Sequence, residues 1–178
     1  MWTHTEFVDF FETLARKNRL IAHTALESHY VCIVPVYDPY NVKGLNVDQY
    51  VNDRRSKLHM PAFIFETPVH TLRDPGDAVT STDALAFIIM DKPTDETYAQ
   101  RKVCITKTEG IARQVVAYIK NYFLKSQTCP ENITFSLAQT MYDTIQDGNY
   151  WGTKVSLRFT SGAGEEHTYD ATKWDENA

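Results

Sequence analysis

Ala84-Leu85-Ala86-Phe87-Ile88-Ile89-Met90 is followed, after Asp91 and Lys92, by Pro93-Thr94-Asp95-Glu96, and this pair of segments decides the fold. The first is apolar throughout, which suits a strand covered on both faces at the centre of a sheet. The second suits the first turn of a helix. Proline has no N–H to lose there, and acidic side chains favour the positive end of the helix dipole. The predicted helix runs to about Ser126, with Ile111, Ala112, Val115, Val116, Ile119, Tyr122 and Phe123 at helical spacing. Gly110 is its weak point, where a kink is expected. Cys129-Pro130 breaks the pattern.

On the C-terminal side a hairpin follows. Strand-like residues 133–145 lead to an Asp147-Gly148-Asn149 turn, and residues 151–160 return. In the return strand Val155, Leu157 and Phe159 alternate with Lys154, Ser156, Arg158 and Thr160, so one face is buried and the other wet. On the N-terminal side, Asp74-Pro75-Gly76-Asp77 marks a turn, and residues 61–66 form a second strand. A first strand, residues 30–36, is rich in β-branched and aromatic side chains. Its Pro35 cannot donate to a ladder, so the strand lies at an edge or ends early. A loop from Asp38 to Gly44 and a short helix from Asn46, with Tyr50, Val51 and Leu58 on its apolar side, separate these two strands. The opening segment is a helix. Thr3 and Glu6 form a capping box, Phe7, Phe10, Phe11 and Leu14 make an apolar stripe, and Arg16, Lys17 and Arg19 complement the dipole at its end.

The expected fold class is α+β: a mainly antiparallel sheet of four to five strands, packed by the N-terminal helix and one long helix. Residues 1–160 form a single domain and residues 161–178 an acidic C-terminal tail. A length of 178 residues, 43% hydrophobic and 23% charged, fits one globular domain with a sizeable core. The net charge of −5 argues against binding a phosphate backbone, which needs clustered Lys and Arg. Most of that charge lies in the tail, where Glu165, Glu166, Asp170, Asp175 and Glu176 face only Lys173. No apolar run reaches the roughly 18 residues that span a membrane. Asp9 and Glu12 interrupt the segment where a signal peptide would be apolar. Cys32, Cys104 and Cys129, odd in number and widely spaced, point to free thiols in a reducing compartment.

Catalytic and metal-binding patterns are sparse. His4, His23, His29, His59, His70 and His167 show no compact ligand spacing. His23 and His29 flank a loop and are suited to meet, with a capping or surface role. Cys32 on a strand and Cys104 on a helix read as incidental thiols. There is no G-x-S-x-G elbow, no Walker loop and no G-x-G-x-x-G. Asp91, Asp95 and Glu96 are explained as negative charge at a helix N-terminus. Asn132-Ile133-Thr134 matches a glycosylation sequon by chance, and Arg54, Arg55 and Lys57 read as a solvated face. No catalytic, cofactor-binding or metal-binding residue is assigned, and no cofactor is expected. Candidate interface residues are Tyr37, Asp38 and Tyr40, in a loop after an edge-type strand, and Tyr169 and Trp174, aromatics in the acidic tail that gain most when buried against a neighbour.

The element order, together with Met60-Pro61-Ala62-Phe63-Ile64-Phe65, Ala86-Phe87-Ile88-Ile89-Met90-Asp91 and the closing Asp147-Gly148-Asn149-Tyr150-Trp151-Gly152, resembles the tail-terminator and tail-completion (head–tail connector) proteins of tailed bacteriophages. Phe10-Phe11-Glu12-Thr13-Leu14-Ala15 and Ile21-Ala22-His23-Thr24 are similar to small virion-associated proteins of phages and prophages of gut Bacteroidetes. The resemblance covers residues 1–160. The segment 37–58 and the acidic tail depart from the compact pattern. What the resemblance implies is a structural, non-enzymatic virion protein, made in the host bacterial cytoplasm, that forms a homo-oligomeric ring at the neck or tail. The implied partners are tail-tube, neck or connector proteins, with DNA only passing through the lumen and no membrane. Two other readings stand beside it: a small cytosolic enzyme whose site is assembled only in the fold, and a non-viral adaptor module. A deep pocket lined by convergent polar groups would favour the first. A genome neighbourhood without portal, capsid and tail genes would favour the second.

Overall fold

The computed structural model describes residues 2–33, 58–73, 80–125, 132–144 and 148–162. In chain order these form α1 (His4–Lys17), β1 (Tyr30–Ile33), β2 (Ala62–Arg73), β3 (Thr80–Asp91), α2 (Tyr98–Lys125), β4 (Asn132–Thr144) and β5 (Gly148–Gly162). The five strands make one sheet in the order β1-β2-β3-β5-β4. All neighbours are antiparallel except β1 and β2, which run parallel. The protein is α+β, and the apolar run of β3 lies at the centre of the sheet, as its composition demands.

Several boundaries differ from those expected. The second strand does not stop at Glu66 but continues to Arg73, pairing with β3 out to Thr80. Thr67-Pro68 hid this continuation, because proline removes a ladder donor. The ladder accommodates it with a register shift between Glu66 and Val69, beyond the last pairing with β1 among the described residues. Pro93–Glu96 precede α2 instead of opening it. The helix begins at Tyr98, after Asp95 accepts hydrogen bonds from the backbone N–H and hydroxyl of Thr97. Gly148 and Asn149 are paired strand residues, opposite Thr144 and Asp143, and not part of the turn. The helix runs without a break through Gly110. The first two residues given to the acidic tail, Ser161 and Gly162, instead end β5, paired with Ser81 and Thr80. Residues 34–36 of the first strand, the short helix from Asn46, the turn at Asp74–Asp77, the Arg54-Arg55-Lys57 cluster, Cys129-Pro130 and the tail from residue 163 lie outside the described residues.

Both described helices pack on one face of the sheet. The capping box of α1 forms as read: Thr3 donates its N–H to Glu6 Oε2 at 2.6 Å, and Glu6 donates its own to Thr3 Oγ1 at 3.3 Å. Phe7, Phe11 and Leu14 then point into the core, where the Phe11 ring stacks on Phe65 at 4.2 Å between centroids. From α2 come Ile111, Val115, Ile119 and Phe123, all buried against Phe87, Val155, Leu157 and Phe159. Burying each such side chain contributes about 1.5–3 kcal/mol relative to exposing it. The opposite face divides along its length. Near β1, Ile33, Ile64, Ile88, Met90 and Tyr150 form a second buried apolar cluster. Further along, the same face turns polar with Lys154, Ser156 and Arg158 of β5. Beside β3, Gly152 has no room for a side chain. A Cβ there would stand 2.4 Å from the Ile89 carbonyl oxygen.

Candidate functional site

The outer layer holds an aromatic groove between α1 and α2. Val115, Ile119 and Phe123 form the buried row of α2, and Tyr118 and Tyr122 form the row beside it. Trp2, just before α1, packs edge-on against Phe10 at 5.0 Å, and Phe10 meets Tyr122 at 4.9 Å. These side chains line a hollow of about 410 Å³ with Glu6 and Asp9 on one wall. A second hollow of about 360 Å³ shares Leu14, Lys17 and Tyr118 with it and reaches Leu20. Tyr118 remains 39% exposed, Tyr122 41% and the neighbouring Leu124 81%. Phe10 and Tyr122, read from sequence as members of buried stripes, therefore sit at the border of the core, where they face solvent in part.

On the open face of the sheet, Lys154 Nζ donates to both carboxylate oxygens of Glu66, at 2.8 and 2.9 Å. The pair spans β2 and β5 across β3. It borders a shallow depression of about 500 Å³ floored by Ala84, Ala86 and Ser156, with Arg158 at its side. This is a wide, wet surface, and it lacks the enclosure of a small-molecule pocket.

Several of the polar groups singled out from sequence are held by structural partners. Asp91, read as a helix N-terminal charge, instead ends β3 and accepts from Lys107 of α2 at 2.5 Å. Asp95 bonds Thr97, and Glu96 pairs with Arg101 at 3.1 Å. His23 and His29 do meet, since the His29 backbone N–H donates to His23 Nδ1 at 3.2 Å. Burial, with Arg16 nearby, lowers the pKa of His23. Burial pushes the Cys104 thiol up to about 11, and Asp91 adds to the shift. Cys32 is raised by burial as well. Neither cysteine presents a thiolate at neutral pH. His70 and the buried Asp83 form a close pair at 2.5 Å near the far end of the β2–β3 ladder. Among the described residues no group of three or more His, Cys, Asp or Glu stands where it could hold a metal ion. No described helix is long and apolar enough to cross a membrane.

Tyr37, Asp38, Tyr40, Tyr169 and Trp174, the interface residues expected from sequence, lie outside the described residues. The aromatic groove was missed because its members belong to two helices far apart in the chain. The i, i+4 spacing of Tyr118 and Tyr122, offset by one position from the apolar row, was the one signal available. Compared with known proteins, the chain matches no family model and no curated protein.

Proposed function

We infer that this chain is a structural subunit of a tailed-bacteriophage virion, one copy in a homo-oligomeric ring at the neck or tail, of tail-terminator, tail-completion or head–tail connector type. The observation that carries this reading is the aromatic surface left between α1 and α2 by Trp2, Phe10, Tyr118 and Tyr122. Rigid aromatic side chains with a polar tip are what interface centres are built from, because they bury large areas at little cost in conformational entropy. The partners on this reading are further copies of the chain and tail-tube, neck or connector proteins. Tyr37, Asp38, Tyr40, Tyr169 and Trp174 belong to the same proposal as further contact residues. The net charge of −5 suits a ring through which DNA passes, since a basic lumen would hold the duplex by counterion release. The role calls for no enzymatic activity and no cofactor. It places synthesis in the host bacterial cytoplasm and the finished protein in the virion.

The test is mass in solution by light scattering, for the chain alone and mixed with candidate tube or connector proteins, with rings sought by negative-stain microscopy. The parent chain is expected to assemble. The Tyr118→Ser/Tyr122→Ser double variant, altered at surface positions, is expected to keep its far-UV spectrum and lose the ring. Failure of the parent to associate with itself or with any such partner overturns the reading.

A further inference from the structure

Natural sheets protect their edges with short strands, charged or proline residues, or bulges that turn the edge away. The edge at β1 is four residues long. The edge at β4 is much less protected, its one charged residue being Asp143, next to its end. It is 13 residues long, and from Ile133 to Tyr142 it contains no charged residue and no proline. Its register with β5 runs one to one from Asn132↔Thr160 to Thr144↔Gly148, with no shift. Among the described residues β4 pairs with β5 alone, and Thr134, Ser136, Leu137 and Ala138 are exposed. Leu137, at 39%, lies on the helix-side face beside half-buried Phe135, whose ring is covered by Lys120 at 5.1 Å.

We propose that two copies of this chain join through β4, strand against strand and antiparallel about a two-fold axis perpendicular to the sheet. The lack of charge selects a second copy as the occupant. In an antiparallel self-pairing each residue faces one from the same short stretch, so a charge near the centre of that stretch would be brought close to its own copy, which is destabilising. Here no register between Ile133 and Tyr142 opposes two charges, and the acids that flank the stretch, Glu131 and Asp143, come opposite each other only at the two ends of the seam. A register centred on Leu137 sets that side chain opposite its own counterpart and covers it. Arg158, one strand in from the edge, would lie about three strand spacings from its counterpart, roughly 14 Å. That exceeds the screening length of about 8 Å at physiological salt. The result is a sheet of about ten strands with the helices of both copies on one face, within the span that open sheets reach. This contact goes beyond the ring proposed above and does not rest on it, since it uses the sheet edge and not the groove between the helices.

Sedimentation equilibrium of the full chain tests it with three charge variants. The parent is expected to dimerise. Leu137→Lys and Leu137→Glu are each expected to weaken the dimer about tenfold or more, by setting like charges opposite across the axis. An equimolar mixture of the two should associate again as a mixed dimer, which a contact with any other partner would not produce. Should either Leu137 variant lose its far-UV spectrum, Ala138→Lys, at a neighbouring exposed position, reads the same edge. A parent that stays monomeric at about 100 μM, charge variants that dimerise as tightly as the parent, or a mixture that does not associate each overturns the proposal. The Tyr118→Ser/Tyr122→Ser variant should keep this dimer, so loss of the ring and loss of the edge contact are told apart.

Discussion

His23 receives the His29 backbone N–H on Nδ1, and a nitrogen that accepts a hydrogen bond cannot also carry a proton. Burial and Arg16 lower its pKa from the ordinary 6.5, against a weaker opposing pull from Glu12. The folded state therefore refuses a proton that the unfolded chain accepts. The stability tied to this group is fully present above about pH 6.5 and is lost as the pH falls through the lower folded value. Urea midpoints should fall between pH 7.5 and pH 5.5 in the parent. The decline should be shallower in His23→Asn, whose amide oxygen stands where Nδ1 does and can still accept from His29. Equal slopes in the two proteins would show that His23 does not carry the effect. The meeting of His23 and His29 was legible from their flanking of one loop. The pairing of Asp91 with Lys107 was not, because it joins a strand end to a position inside a helix and follows no local spacing.

The single glycine of α2 tests the helix as an element. A Cβ at Gly110 would meet nothing within 4 Å, and the position is exposed and helical. Gly110→Ala should therefore stabilise the protein by about 0.5–1 kcal/mol, through lower backbone entropy in the unfolded chain. Chemical denaturation reads this directly, and an unchanged or lower midpoint would mean that the helix bends there in solution. The stripe of α2 and the alternation in β5 were readable because each repeats its period over several residues of one face. The far half of β2 was not. Thr67-Pro68 is a local stop signal, and only the antiparallel ladder with β3 overrides it. Likewise the start of α2 was placed too early, because Pro93, Asp95 and Glu96 suit a first turn that the chain delays until Thr97 has been fixed by Asp95. The aromatic groove escaped for a different reason: periodicity marks the middle of a buried face well and its border poorly.

At the scale of the molecule, one sheet carries both apolar clusters, so the parts cannot come apart independently. Phe63 and Ile64, adjacent in β2, belong to opposite clusters, and so do Phe87 and Ile88 in β3. Removing β5 should then abolish the whole fold and not just its last hairpin. A chain ending at residue 147 is expected to show no cooperative urea transition by circular dichroism; a sigmoidal transition in that truncated chain would contradict this. The reason lies in the order of the strands. β3, the central strand, pairs on one side with β2, next to it in sequence, and on the other with β5, from which all of α2 and β4 separate it. As the chain leaves the ribosome, the most apolar strand is made early and must wait for its second neighbour until nearly the whole domain has been synthesised. Contacts of such long sequence separation slow folding, since the entropy of closing the loop is lost before the strand is paired. During that interval Ala86 to Met90 remain open to intermolecular pairing. A nascent chain built this way is one whose yield depends on translation speed and on chaperones that shield a hydrophobic strand.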